Sequence, residues 1–194
     1  MPIDAVLFDM DGTLVRSEYD WPAIRAELGV EGASLIDALN ALPEPQRSAA
    51  WARLNEIERE ATEAATLVAG TVEILELLRR SGVKTALVTN NSDRNTAAIL
   101  ERFNLQFDQV LTRDSGLYKP SGAPFTEAMV RLGVDPSRVL AVGDSKYDLR
   151  AARESGCGLV AVVNGGYERH RMSADLAFAD LFGLLQFLEI ETEN

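Results

Sequence analysis

Short apolar runs recur along this chain, separated by stretches of helical periodicity, and most of them close on polar residues. Residues 5–8, 84–88, 109–111, 139–142 and 159–163 are short and bounded, and read as buried strands. Between them, residues 72–80, 95–103, 125–132 and the stretch ending at Ser155 carry helical patterns. A final helix is predicted over 181–188 with Asp180 as its N-cap, followed by an acidic tail, 189–194, that is expected to fray. Strands alternating with helices predict an α/β fold, a parallel sheet covered on both faces.

One segment breaks the alternation. From about residue 15 to Val68 there is no strand pattern. Residues 21–28 and 34–42 read as short helices set apart by Gly29 and Gly32, and Pro43 and Pro45 interrupt the path. A long helix follows from Gln46, with Ala50, Leu54, Ile57, Ala61, Ala64 and Val68 recurring at spacings of three and four. Residues 15–68 are therefore expected to form a helical cap inserted into a core made of 1–14 and 69–194.

A chain of 194 residues with 46% hydrophobic content has room for one such core plus an insertion. No apolar stretch approaches a membrane span and no signal peptide opens the chain, so a cytoplasmic protein with no membrane partner is expected. The lone Cys157 excludes an internal disulfide framework and a multi-cysteine zinc site, and reads as a small buried hydrophobe. A net charge of −11 argues against nucleic acid as a partner. It leaves phosphate substrates open, because a bound metal inverts the field locally. The single histidine, His170, sits among Glu168, Arg169 and Arg171 and reads as a solvated loop residue, so triad chemistry is not expected. Trp21 and Trp51 are expected to pack cap helices. Without an exposed apolar motif, a monomer is the default.

The polar residues at the strand ends are where chemistry is expected. Asp9, Asp11, Thr89, Asn90, Asp144 and Asp148 all follow predicted strands, and in a parallel sheet those ends share the edge where ligands bind. Two anions as close as Asp9 and Asp11 need a cation or a shared proton. Asp144 is placed to ligate a metal and Asp148, about one helical turn later, to reinforce it; ligands that are all oxygen favour magnesium over zinc. Lys119 is a candidate counter-charge for an anionic substrate. Helix caps and turns use the same residue types, but caps need no carboxylate pair beside a lysine.

Four motifs, Asp9-Met10-Asp11-Gly12-Thr13, Thr89-Asn90, Lys119-Pro120 and Gly143-Asp144-Ser145 with Asp148, occur in the order of the haloacid dehalogenase-like superfamily. The chain resembles its phosphatase branch, in the manner of phosphoglycolate phosphatases and β-phosphoglucomutases. That resemblance implies a Rossmann-like core with a small helical cap, a Mg²⁺ cofactor and a small phosphorylated metabolite as substrate. It implies Asp9 as nucleophile, Asp11 as general acid and base, and Mg²⁺ held by Asp9, Asp144 and the Asp11 backbone carbonyl with support from Asp148. It further implies a phosphoryl cradle of the Thr89 hydroxyl and the Asn90 backbone amide, with Lys119 neutralising charge. In that family, dehalogenases lack the second aspartate, phosphonatases use a cap lysine absent between Leu14 and Val68, and membrane ATPases carry threonine in place of Asp11. A phosphatase is therefore expected, with a phosphomutase as the alternative and a non-catalytic phosphate-ligand protein as a third reading. Arg16 and Arg25 are candidate substrate contacts at the cap and its hinge.

Overall fold

The computed structural model describes residues 3–32 and 34–192. β1 (Ala5–Phe8) is an all-apolar strand with every side chain buried, as a strand covered on both faces requires. It pairs in parallel with β4 (Lys84–Val88) on one edge and β6 (Val139–Gly143) on the other, so Phe8 stands level with Leu87 and Val142. β5 (Gln109–Leu111) lies beyond β4, and β7 (Leu159–Val162) and β8 (Leu176–Ala177) lie beyond β6. Among the described residues this makes a six-stranded, wholly parallel sheet in the order β5–β4–β1–β6–β7–β8.

Alternation along the strands sends Ala5, Leu7, Ala141 and Val160 to one face. There they join a buried cluster with Phe125 and Met129 of α6 (Ala123–Leu132) and Leu149 and Ala152 of α7 (Lys146–Ser155). Val6 and Phe8 are left for the opposite face. α4 (Thr71–Arg80) packs against β4 and against α9 (Leu181–Thr192), burying Ile74 and Leu78, while α9 buries Leu181, Leu184 and Leu188. α5 (Asp93–Phe103) connects β4 to β5, capped by Ser92, whose hydroxyl accepts from Asn95 N. This is the α/β fold expected from the sequence.

The chain divides into two compact units. Residues up to Arg16 and from Thr66 onward form one, and Ser17–Ala65 the other. In the second, α1 (Trp21–Leu28), α2 (Leu35–Asn40) and α3 (Gln46–Ala64) surround Ile24, Leu28, Val30, Leu39, Ala50 and Leu54. Asp20 caps α1 by accepting from Ala23 N, and Gly29 ends it in the left-handed conformation. Trp51 lies on α3, its Nε1 donating to Asn40 Oδ1 of α2, whereas Trp21 is exposed and stacks on Tyr19.

Several elements differ from expectation. β2 (Val15–Arg16) and β3 (Thr66–Leu67) pair antiparallel where no strand pattern is legible, and the pairing stops α3 at Ala64 rather than Val68. Two residues are too few to show a period, so tertiary pairing decides. β8 and a short helix, α8 (Tyr167–His170), are likewise unmarked in the sequence. The expected frayed tail is helix as far as Thr192, since α9, anchored by Leu181, Leu184 and Leu188, continues through good helix formers; residues 193 and 194 lie outside the described residues. Asp180 does cap this helix, accepting from Gly183 N at 3.0 Å. No helix of the described residues is long and apolar enough to cross a membrane.

Candidate active site

The carboxyl ends of β1, β4 and β6 converge because the three strands are adjacent and parallel. Asp9 follows β1 and is fixed by its own amide, which donates to Val142 O at 2.9 Å. Its carboxylate is divided between two partners. Lys119 Nζ donates to Oδ1 at 2.5 Å, and the Thr13 hydroxyl donates to Oδ2 at 3.1 Å. Lys119 also donates to Asp148 Oδ1 at 2.6 Å, and the other Asp148 oxygen accepts from Ser145 N and Oγ, closing a capping box at the start of α7. Asp144 completes the group: carboxylate oxygens of Asp9, Asp144 and Asp148 lie within 4.8 Å of one another.

Two glycines make this approach possible. Gly12 has φ +87°, and a Cβ there would overlap the Asp144 carboxylate. At Gly143 a Cβ would overlap the Asp148 side chain.

Burial, together with Asp148 and Asp144 alongside, pushes the Asp9 carboxyl well above the usual carboxylate range, although Lys119 opposes the shift. Burial and Asp148 push Asp144 up to about 6, against the opposing charges of Lys119 and Arg169. Burial works against the charged form of Lys119, but Asp148 and Asp9 carry it above its ordinary value, so it is a fixed cation. Three carboxylates thus face one ammonium, which leaves negative charge uncompensated in a buried place. The residues fit a hard divalent cation, since every donor is an oxygen and two positive charges supply what Lys119 does not.

Asp11 turns its carboxylate to Asn91, whose Nδ2 donates to Oδ2 at 3.2 Å, so its side chain stays out of the three-carboxylate cluster. The Thr89 hydroxyl accepts from Asn91 N at 3.1 Å. Arg16 is exposed on β2, and Arg25 is half-buried on α1 of the Ser17–Ala65 unit.

Four contacts escaped the sequence reading. Asn90 grips the Lys119 backbone from both sides, Nδ2 donating to Lys119 O and Oδ1 accepting from Lys119 N, each at 2.8 Å. Arg113 is buried and donates from Nη1 to Asn90 O at 3.0 Å, backing that grip. Asn91 is the partner of Asp11 described above. Asn164, after β7, donates from Nδ2 to Gly12 O and Thr13 O at 3.0 and 2.8 Å, pinning the loop that carries Asp9. Asn164 follows a strand at the same sheet edge, the one signal that pointed to it; read alone, Asn164-Gly165-Gly166 looks like a turn.

Residues 23–162 match the family profile described as haloacid dehalogenase-like hydrolase. The chain belongs to that family. The profile match begins after Asp9 and Asp11, which are placed by the geometry above. A phosphoglycolate phosphatase of Chromobacterium violaceum is 30% identical over 95% of this chain and 97% of its own length, which sets the chain in the phosphatase branch. A hydrolase of Pseudomonas syringae shares the fold at a TM-score of 0.81 and 22% identity, covering 96% of this chain and 98% of its own. The CbbY protein of Rhodobacter sphaeroides, solved in complex with phosphate, is similar at a TM-score of 0.65 and 26% identity, covering 94% of this chain and 96% of its own.

Proposed function

We propose that this chain is a Mg²⁺-dependent phosphatase that hydrolyses a small phosphomonoester through an aspartyl phosphate on Asp9. The observation that carries the reading is Lys119, held between Asp9 and Asp148 at 2.5 and 2.6 Å, with Asp144 beside them and Asp11 just outside. That arrangement supports Asp9 as nucleophile, with the fixed positive charge of Lys119 against it, and Asp11 as proton carrier.

Asp9 attacks phosphorus, the bond from phosphorus to the ester oxygen breaks, and the Asp11 carboxyl gives its proton to the departing alkoxide. The phosphoryl group is then on Asp9. Asp11, now a carboxylate, takes a proton from water as that water attacks the same phosphorus, and the bond to Asp9 breaks to release inorganic phosphate. Thr13 and Lys119 hold the two Asp9 oxygens in place, and the Asn91 amide aims Asp11. The Thr89 hydroxyl and the Asn90 backbone amide cradle the transferring group. Asp9, Asp144 and the Asp11 backbone carbonyl, supported by Asp148, would hold Mg²⁺, which would supply charge neutralisation for the phosphoryl oxygens.

The test is phosphate release from p-nitrophenyl phosphate by the purified protein. Activity is expected to require added Mg²⁺, to vanish with a chelator and to be lost in Asp9→Asn. Turnover without metal, or full activity in Asp9→Asn, refutes the reading.

A further inference from the structure

The loop after β4 gives its main chain to the fold and one side chain to Asp11. Asn91 N donates to the Thr89 hydroxyl at 3.1 Å, and Asn91 O accepts from Arg113 N at 3.2 Å. The side-chain oxygen Oδ1 accepts twice, from Ser92 N at 2.9 Å and from Asn95 Nδ2 at 3.2 Å. Two donors aimed at one oxygen decide which way the amide faces, because a flipped Asn91 would set its own N–H groups against both. Nδ2 is therefore turned to Asp11, where it donates to Oδ2 at 3.2 Å.

The Asn95 side chain does not serve its own helix. It stands three residues past the N-cap Ser92, whose hydroxyl already accepts from Asn95 N at 3.3 Å. A side chain at that position commonly turns back to the N-cap amide. Here Asn91 Oδ1 occupies Ser92 N, and Asn95 reaches Asn91 instead. Asparagine is a poor helix former, and both residues are buried, Asn91 at 4% and Asn95 at 5% exposure. A buried amide in the first turn of a helix, spent on a second amide, holds that second amide in place. The chain of hydrogen bonds from Asn95 through Asn91 to Asp11 thus runs from the first turn of α5 to the carboxyl that moves the proton.

We propose that Asn95 is a positioning residue for proton transfer: it locks Asn91, and the locked Asn91 donor fixes which oxygen of Asp11 carries the proton. The proposal rests on the phosphatase reading and deepens it. An amide N–H cannot accept a hydrogen bond, so Asp11 Oδ2 is held as the acceptor and the proton resides on Oδ1. As Asp9 attacks phosphorus, the electron pair of the breaking ester bond goes to the leaving oxygen. That oxygen takes the Oδ1 proton, and Asp11 is left a carboxylate with its bond from Asn91 intact. An Asp11 free to turn loses its aim, and the cost grows with the basicity of the leaving oxygen, since a weakly basic phenolate departs without a proton. The two asparagines therefore set how poor a leaving group the site expels.

The experiment measures kcat/KM, which covers the steps up to departure of the alcohol, across phenyl phosphates of similar shape and rising leaving-group basicity. The series runs from p-nitrophenyl through phenyl to p-methoxyphenyl phosphate, with Mg²⁺ present. The native chain is compared with Asn95→Ala, with Asn95→Leu, which keeps the volume and loses the donor, and with Asn91→Ala; urea unfolding checks that each is folded. In both Asn95 variants kcat/KM is expected to fall about threefold for p-nitrophenyl phosphate and about thirtyfold for p-methoxyphenyl phosphate, with KM little changed. Asn91→Ala is expected to steepen the dependence further, and the Asn95 variants, which leave Asn91 in place, carry the comparison if it does not fold. Losses that are equal along the series, as a general loosening of the fold gives, or no loss at all, overturn this inference and leave the phosphatase reading standing. No phosphate release from any ester by the native chain refutes the phosphatase reading, and the inference falls with it.

Discussion

Replacing Asp144 with asparagine is expected to stabilise the metal-free protein at neutral pH while ending its ability to be stabilised by Mg²⁺. Burial and Asp148 raise the Asp144 carboxyl from its ordinary 3.8 to about 6. Between those two values the folded chain binds more protons than the unfolded chain, so the contribution is full below pH 3.8 and is lost as pH rises through about 6. At about 1.4 kcal/mol per pH unit, the ionised carboxylate at pH 7.5 costs the metal-free fold about 3 kcal/mol relative to acid. Asparagine does not ionise and escapes that cost. Urea unfolding in chelator, from pH 4.5 to pH 7.5, should therefore show the stability of Asp144→Asn rising relative to the native chain by about 2 kcal/mol. Mg²⁺ at a hundredfold excess over its dissociation constant should then return about 2.7 kcal/mol to the native chain and little to the variant. A stability difference that does not change with pH, or an equal gain from Mg²⁺ in both proteins, refutes the argument that Asp144 is a destabilising carboxylate kept for a cation.

Asn90→Ala removes both hydrogen bonds to the Lys119 backbone and is expected to cost about 1–3 kcal/mol and to lower kcat about tenfold or more, because a displaced Lys119 no longer bridges Asp9 and Asp148. Denaturant titration and aryl phosphate turnover check it, and a stable, fully active variant would show the grip to be idle. Gly12→Ala forces an L side chain into φ +87° and against the Asp144 carboxylate, so about 1–3 kcal/mol of stability and most of the Mg²⁺ affinity should be lost. Calorimetric titration with Mg²⁺ reads the second effect directly; unchanged affinity counts against the contact.

The core was legible because β1, β4 and β6 are apolar runs too short for helices, flanked by helices with clear apolar faces. Parallel pairing then makes Asp9, Thr89 and Asp144 neighbours without further information. What sequence could not show were contacts decided by three-dimensional approach. The two-residue strands β2 and β3 exist only as each other's partner. Asn90 is expected to serve through its backbone amide, and nothing local announces that its side chain grips the backbone of Lys119, 29 positions away. Asn164 reaches back across more than 150 residues to Gly12 and Thr13, a distance at which no local pattern is informative. His170 read as a solvated loop residue because its neighbours are charged; the fold half-buries it at the end of α8, within the field of Lys146 and Asp148.

The placement of β1 bears on how the protein emerges during synthesis. The strand that carries Asp9 is made before both its neighbours in the sheet, β4 and β6, so its edges wait for partners that begin at Lys84 and Val139. Until β6 has left the ribosome, an entirely apolar segment has no complete place to pair, and such a segment invites association with other nascent chains. The Asn164 clamp then arrives later still. A chain halted before β7 would carry every carboxylate of the cluster and yet lack the clamp that pins the loop bearing Asp9, so competence waits for β7 and the turn after it.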